Sequence, residues 1–386
     1  MAQAFGIVSF AGNNIRVGEM QNYRPVGAVS FLGRYRVIDF QISNMSNSEI
    51  EHIQVYVRRK PRSLTEHLGT GRHYNINSKS GRLHILYSDF ENAEWSVYNN
   101  DLAAYEENME CIEAVKYPYV VIAPSYMIYT QNYDELLKTH IESGADITLL
   151  YHSVDNAKEY YLNCSTLNLN KQKGVLSLEP NHGNAKNRNI FMDTYVMRKD
   201  LFMELVKKGR KISSMFTLND IVNMACSELD IRGVSHRGFF ASITDFKSYY
   251  NANLSLIDMK NAVTLFDKSW PIYTRTNDSC PTKYYEGASV KKSVISNGCL
   301  IEGTVENSVI GRGCVIKKGA VVKDSVILPG VVIGADARIE AQVVDKSARI
   351  VHAKELIADP EKPGRSEEHT SELQSHHDLV CRLLLE

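Results

Sequence analysis

Two different hydrophobic periods divide the chain. In the first part, short and mostly apolar runs (Phe5 to Phe10, Ile53 to Val57, Tyr119 to Ala123, Ile147 to Tyr151) are separated by longer mixed stretches. Apolar runs of this length read as strands of a parallel-type sheet buried on both faces. Among the stretches between them, Asn132 to Glu142 is the clearest helix, with Leu136, Leu137 and Ile141 on one face and Gly144 at its C-terminal stop. Strand and helix in alternation predict a doubly wound, Rossmann-like α/β domain over residues 1–250.

Beyond Ser289 the period changes. A small-aliphatic-aliphatic triplet recurs as Ser293-Val294-Ile295, Cys299-Leu300-Ile301, Ser308-Val309-Ile310 and Cys314-Val315-Ile316, and continues less strictly to Ala337-Arg338-Ile339. Followed from the last residue of each triplet, the steps are 6, 9, 6, 6, 5, 6 and 6 residues, a hexapeptide period with one apparent insertion. Three hexads make one triangular coil: the central aliphatic points inward, the small residue permits stacking, and glycines such as Gly311, Gly313 and Gly319 serve the corners. This predicts a left-handed parallel β-helix over residues 288–360, joined to the first domain by a linker at 251–287. Ordinary antiparallel strands would alternate with period two and vary in spacing. Hexapeptide acyltransferases use a histidine as general base, and no histidine falls between Val290 and Val351, which disfavours that class.

Composition narrows the function classes. With 386 residues, 23% charged and a net charge of -1, the chain has ordinary globular balance and no global attraction for nucleic acid or an anionic membrane. Its seven cysteines are scattered and never form a C-x-x-C pair, which suits free thiols in a reducing cytosol. The N-terminus lacks a basic region before its short apolar stretch, and no run of about 18 apolar residues appears, so a cytoplasmic, soluble protein is expected.

Specific chemistry enters with the stretch Arg34-Tyr35-Arg36-Val37-Ile38-Asp39-Phe40-Gln41-Ile42-Ser43-Asn44-Met45-Ser46-Asn47-Ser48-Glu49-Ile50. It resembles the YRIIDFxLSNxxNSGI signature of the glucose-1-phosphate adenylyltransferase (ADP-glucose pyrophosphorylase) family. Asn219-Asp220-Ile221, Asp245 to Asn253 and Trp270-Pro271-Ile272-Tyr273-Thr274 resemble later motifs of the same family. The resemblance implies a nucleotidyltransferase-like domain followed by a β-helix, and the reaction of ATP with glucose 1-phosphate to give ADP-glucose and pyrophosphate. That chemistry needs a phosphate cradle, cations against developing charge and carboxylates for Mg²⁺.

Those parts are altered. The family's GGGxGxRL cradle corresponds to Ser9-Phe10-Ala11-Gly12-Asn13-Asn14-Ile15-Arg16, leaving Arg16 as a nucleotide or phosphate candidate. Arg24 keeps a second cationic position, while Val26 stands where the family has a lysine. Ala103 replaces an aspartate facing the nucleotide and sugar, and Ser125 replaces the aspartate that binds the catalytic Mg²⁺. Asp220 matches the second metal carboxylate, and as a lone ligand it equally reads as a helix cap. Glu179 survives from FxEKP without its lysine, and Phe191-Met192-Asp193 stands in place of SMG, so Glu179 and Asp193 are the sugar-phosphate pocket candidates.

Six chemical positions are changed while the scaffold motifs remain. The pattern resembles the GlgD-type subunit of this family, which implies a regulatory, catalytically impaired chain that joins a GlgC-type catalytic subunit in a heterotetramer serving glycogen synthesis. Mg²⁺ would then be held weakly or not at all by this subunit. A self-sufficient sugar-1-phosphate nucleotidyltransferase using Asp101, Glu107 and Asp220, and a binding protein that senses sugar phosphates, are the alternatives. After Pro363 the character changes: residues 365–376 resemble the translation of a sequencing-adapter oligonucleotide, so 364–386 is expected to be foreign to the fold.

Overall fold

The computed structural model describes residues 3–77, 79, 81–88 and 98–366. Among these residues the contacts define two compact units, the first within 3–29, 37–248 and 265–275 and the second within 30–36, 249–264 and 276–366. The division is therefore not linear in sequence.

The first unit is built on a nine-stranded sheet. Its strands are β1 (Ala4–Ser9), β2 (His52–Val57), β3 (Arg82–Tyr87), β4 (Tyr119–Pro124), β5 (Ile147–Val154), β6 (Ser165–Leu169), β7 (Val175–Pro180), β8 (Arg188–Arg198) and β9 (Ile231–Ser235). The spatial order is β7-β6-β8-β4-β1-β2-β3, with β5 pairing β8 and β9. Strands β4, β1 and β2 run parallel, as their unbroken apolar runs predict, and β3, whose sequence is no such run, joins them in parallel; β5, also read as parallel-type, is parallel to β9 but antiparallel to β8. Phe5, Ile7, Val120 and Val121 are buried accordingly. The sheet is nonetheless mixed, because β8 lies antiparallel to both β4 and β5.

Helix α1 (Val37–Asn47) carries the signature stretch and is buried from Val37 to Met45. Its polar side chains act as anchors for the segments around it. Asp39 Oδ1 accepts the Tyr74 hydroxyl at 2.7 Å and meets His67 Nε2 at 2.6 Å. Gln41 donates to the Met127 carbonyl at 3.0 Å and accepts the Tyr133 hydroxyl at 2.6 Å. Asn44 donates to the Tyr129 carbonyl at 2.9 Å, while its Oδ1 accepts Trp270 Nε1 at 3.0 Å and the Gln131 N–H at 3.2 Å. The motif therefore holds scaffold.

Helix α2 (Asp101–Glu107) starts on the Asn100 cap, and α3 (Tyr133–Ser143) starts on Asn132, whose side chain accepts the N–H groups of Asp134 and Glu135. Gly144 ends α3 at φ +66°, as its position predicts. Leu136 and Leu137 are buried, but Ile141 is exposed. His140, one turn beyond Leu136, takes the inner place and meets Thr148 Oγ1 at 2.9 Å.

In the second unit, the repeat forms three parallel sheets of five strands each, the left-handed β-helix that the period predicts. The first sheet stacks Lys283–Tyr284, Leu300–Ile301, Val315–Ile316, Val332–Ile333 and Arg349–Ile350. The second stacks Ser289–Lys291, Thr304–Glu306, Val321–Lys323, Arg338–Glu340 and Glu355–Ile357. The third stacks Val294–Ile295, Val309–Ile310, Val326–Ile327, Gln342–Val344 and Gly364–Ser366. The core is a column of inward aliphatics including Ile301, Val305, Ile310, Ile316, Val322 and Ile327.

Three details differ from the sequence reading. The inward residue of each side is the last of the triplet, as at Ile301, Ile316 and Ile333, while the central aliphatics Leu300, Val315 and Val332 point outward, because the small first residue and the last share the inner face of the strand. The nine-residue step is no insertion: it hides Gly303-Thr304-Val305, a regular side whose middle residue is polar and escapes an aliphatic search. The small position is also chemical, because Ser293, Ser308 and Ser325 Oγ accept the N–H of Ser308, Ser325 and Gln342 in turn, each at 3.1 Å. At one corner the left-handed conformation falls on non-glycines, with φ +44° at Lys292, +44° at Asn307, +46° at Asp324 and +52° at Ala341. Residues 364–366 join the third sheet, past the expected end at 360 and into the stretch expected to be foreign; residues 367–386 lie outside the described residues.

The outward valines of the third sheet, Val309, Val326 and Val343, are 0%, 1% and 1% exposed. Residues 30–36 and 249–264 belong to the same unit, and Tyr250 donates its hydroxyl to the Asp324 carbonyl at 2.5 Å beside this sheet. They are held to each other by Leu32 N–H on Asn253 Oδ1 at 2.8 Å and the Tyr249 hydroxyl on the Ser30 carbonyl at 2.6 Å.

Candidate active site

The parallel strands of the first unit end at Ser9, Val57 and Pro124, and at that edge two adjoining cavities share Phe10, Gly12, Asn13 and Arg58 in their walls. In open α/β sheets, ligands bind at this carboxyl edge. The first cavity, about 490 Å³, is lined by asparagines, Ser9, Thr217 and the carboxylates Asp101, Asp193 and Asp220. The second, about 540 Å³, is lined by Arg16, Arg24, Arg58, Arg59 and Lys60, with Glu19 its one acidic member.

The loop after β1 is not a phosphate nest. A nest needs backbone N–H groups turned inward by alternating right- and left-handed residues, and none of Ser9 to Arg16 takes a positive φ. Polar side chains hold the loop instead. Asn14 donates to the Asn163 carbonyl at 2.8 Å, and Asn13 Oδ1 accepts from Arg58, which also donates to the Asn99 carbonyl at 2.9 Å. The Arg58 guanidinium lies over the Phe10 ring, 5.3 Å from its centroid. Burial, with the nearby Arg59 charge, lowers the Arg58 pKa to about 10.

The predicted site residues separate clearly. Arg16, Arg24, Val26 and Ser125 all line the second cavity. Ala103 does not reach a cavity: it is buried in α2, its N–H bonded to Asn100 Oδ1 at 3.0 Å. The cavity side of α2 is Asp101, whose Oδ1 accepts the N–H of Leu102 at 2.8 Å and of Leu218 at 3.2 Å. Glu179 corrects the sequence reading. On β7 the alternation sends Leu178 and Pro180 to the first cavity, while Glu179 is exposed and accepts from Ser177 Oγ at 3.2 Å. Glu107 is exposed at the end of α2 and lines neither cavity.

Asp193 reaches the first cavity by a local distortion. The β8–β5 register shifts between Phe191 and Thr194, and Asp193 takes φ +44° within this bulge. Its Oδ2 accepts the hydroxyl of Tyr126. Burial raises its pKa to about 6, and burial raises that of Asp101 to about 7 against the two N–H groups that lower it.

Asp220 is the third residue of α4 (Leu218–Ala225), in a capping box with Thr217. Its Oδ2 accepts the Thr217 N–H at 2.9 Å and hydroxyl at 2.7 Å, so the capping reading holds while the residue still lines the cavity. The donor set does not fit Mg²⁺. Asp101 accepts two backbone N–H groups, Asp193 accepts the Tyr126 hydroxyl, one Asp220 oxygen is committed to its helix, and Ser125 brings no charge. Among the described residues, no group of three or more His, Cys, Asp or Glu side chains is arranged to hold a metal ion. Sequence reasoning missed Arg58 and Tyr126. The signal for Arg58 was present, since three consecutive cations follow the apolar run of β2 directly.

Comparison with known proteins places this geometry. The Nucleotidyl transferase family matches residues 10–257, and the GlmU-like C-terminal hexapeptide family matches residues 281–372. The first unit is thus that of a nucleotidyl transferase, carried with a hexapeptide β-helix. A glucose-1-phosphate adenylyltransferase of Clostridioides difficile is 30% identical over 336 residues, 86% of this chain and 86% of that protein. Relatives of the same name from Fervidobacterium nodosum and Bacillus cereus are 29% and 27% identical over 91% of the chain, covering 84% and 93% of their own lengths. The chain belongs to the glucose-1-phosphate adenylyltransferase family. No helix among the described residues is long and apolar enough to cross a membrane.

Proposed function

We propose that this chain is a GlgD-type subunit of glucose-1-phosphate adenylyltransferase, impaired in turnover by itself and acting with a GlgC-type catalytic chain in a heterotetramer. The observation that carries the reading is the state of the first cavity. Its place at the strand ends is kept, yet the loop beside it has no nest and its carboxylates do not form a set for Mg²⁺. Uncharged Val26 and Ser125 remove a cation and an anion from the second cavity. With both gone, in-line displacement at a nucleotide phosphate loses its charge stabilisation.

Pyrophosphate release from ATP and glucose 1-phosphate with Mg²⁺ tests the reading. The chain alone should turn over roughly a thousandfold or more below an intact relative, since each lost charge-stabilising group costs about a hundred- to a thousandfold. Addition of the chain to the catalytic subunit should change that subunit's rate or effector response. Turnover by the isolated chain at about 1 to 1,000 per second would overturn the reading.

The carboxylates of the first cavity favour one second reading, a self-sufficient nucleotidyltransferase using Asp101 and Asp220. It requires that Asp220→Asn abolish whatever turnover the isolated chain shows.

A further inference from the structure

Several polar atoms in the wall of the first cavity are left unsatisfied. Tyr195 is 5% exposed and lines this cavity, and its hydroxyl has no hydrogen-bond partner among the described residues. A buried phenol ordinarily finds one, so this hydroxyl calls for a ligand or a water. Oδ1 of Asp193, whose Oδ2 takes the Tyr126 hydroxyl, and Oδ1 of Asp220, whose Oδ2 caps its helix, are likewise without a protein partner among the described residues. Asn219 spends its amide N–H on Ser165 Oγ at 2.7 Å, which leaves its side-chain oxygen open. Asn223 accepts the Leu178 N–H at 2.8 Å, which leaves its amide nitrogen. The two carboxylates and Asn219 Oδ1 accept, the Tyr195 hydroxyl does either, and Asn223 alone of this group only donates.

A ligand that satisfies this wall must bring donors and no negative charge. Sugar hydroxyls donate as well as accept, and Phe10, Ile122, Pro124 and Leu178 offer apolar surface to the C–H faces of a pyranose ring. A phosphate dianion fits badly, because it only accepts and because it meets Asp101, Asp193 and Asp220 in the same wall. At pH 8 Asp101 and Asp193 are ionised, since their pKa values of about 7 and about 6 both lie below that pH. Arg58, the cation of this wall, is committed to Asn13 Oδ1 and the Asn99 carbonyl.

We propose that the first cavity binds an uncharged sugar through Asp193, Tyr195, Asp220 and Asn223, and excludes sugar phosphates. This rests on the impaired-subunit reading and gives the altered site a ligand of its own. Isothermal titration of the full chain at pH 8 tests it, with methyl α-D-glucoside in one arm and glucose 1-phosphate, with and without Mg²⁺, in the other. The glucoside should bind, and glucose 1-phosphate should bind about tenfold more weakly or worse. Tyr195→Phe should weaken the glucoside about three- to tenfold, the loss of one hydrogen bond. Asp193→Asn removes a charge and keeps an acceptor, so it should narrow the gap between the two ligands. Glu179→Gln, on the outward side of β7, should change neither affinity, and circular-dichroism melts check that every variant folds. Glucose 1-phosphate binding as tightly as the glucoside or tighter, in either metal condition, overturns the proposal. So does a glucoside affinity indifferent to Tyr195→Phe, or no binding heat from the glucoside at all. Each of these results leaves the subunit reading standing, because that reading falls on turnover by the isolated chain.

Discussion

Asn44→Ala should be among the most destabilising single substitutions in the first unit. The Asn44 amide satisfies the Tyr129 carbonyl, the Trp270 indole N–H and the Gln131 N–H at once, and its own side chain is 0% exposed. Truncation leaves those partners unsatisfied, at about 1–3 kcal/mol each where water cannot replace the amide. A loss of roughly 3 kcal/mol or more follows, lowering the thermal midpoint of this unit by about 6–10 °C. The measurement is a calorimetric or circular-dichroism melt of the variant beside the parent. A shift within about 1 °C would show that Asn44 is not the anchor its contacts describe.

The second large effect concerns acid. Asp193 and Asp101 have folded-state pKa values of about 6 and about 7, above the ordinary 3.8. Between pH ~4 and ~7 the folded chain holds protons that the unfolded chain releases, so these groups make stability fall as pH rises through that window and level off above it. For Asp193 the full difference is on the order of 3 kcal/mol at about 1.4 kcal/mol per pKa unit. Asp193→Asn keeps an acceptor for the Tyr126 hydroxyl and tolerates the left-handed backbone, but cannot ionise. The variant should therefore gain stability over the parent at pH 8 and lose most of that gain at pH 4. Melting both proteins across pH 4 to 8 checks this. A difference that does not change with pH would refute the sign.

Most of the architecture was legible because it rests on period. Unbroken apolar runs gave three of the parallel strands, and the hexad gave the β-helix but not its inward position, which falls on the last residue of each triplet instead of the central one. The mixed direction of β8 was not legible, since a buried strand looks alike whichever way it runs. The site was legible where a residue's absence is itself chemical: Val26 and Ser125 stand at the second cavity without the charges a catalyst would want. It was misread where side-chain direction decides. Glu179 alternates out of the cavity, Ala103 sits in the body of α2, and Asp101 at that helix's first turn faces the cavity instead. Asp193 arrives through a bulge, and Arg58 comes from a strand end distant in sequence from the loop it holds. A linear pattern carries neither.

Because each coil of the β-helix rests only on its neighbours, damage there stays local. The final strand, Gly364–Ser366, covers Gln342–Val344 and no earlier rung, so losing it uncovers one edge while Ile301, Ile316 and Ile333 keep their partners. A sheet domain such as the first unit melts as a whole; a stack of coils frays from its ends inward, and the middle rungs are the last to let go.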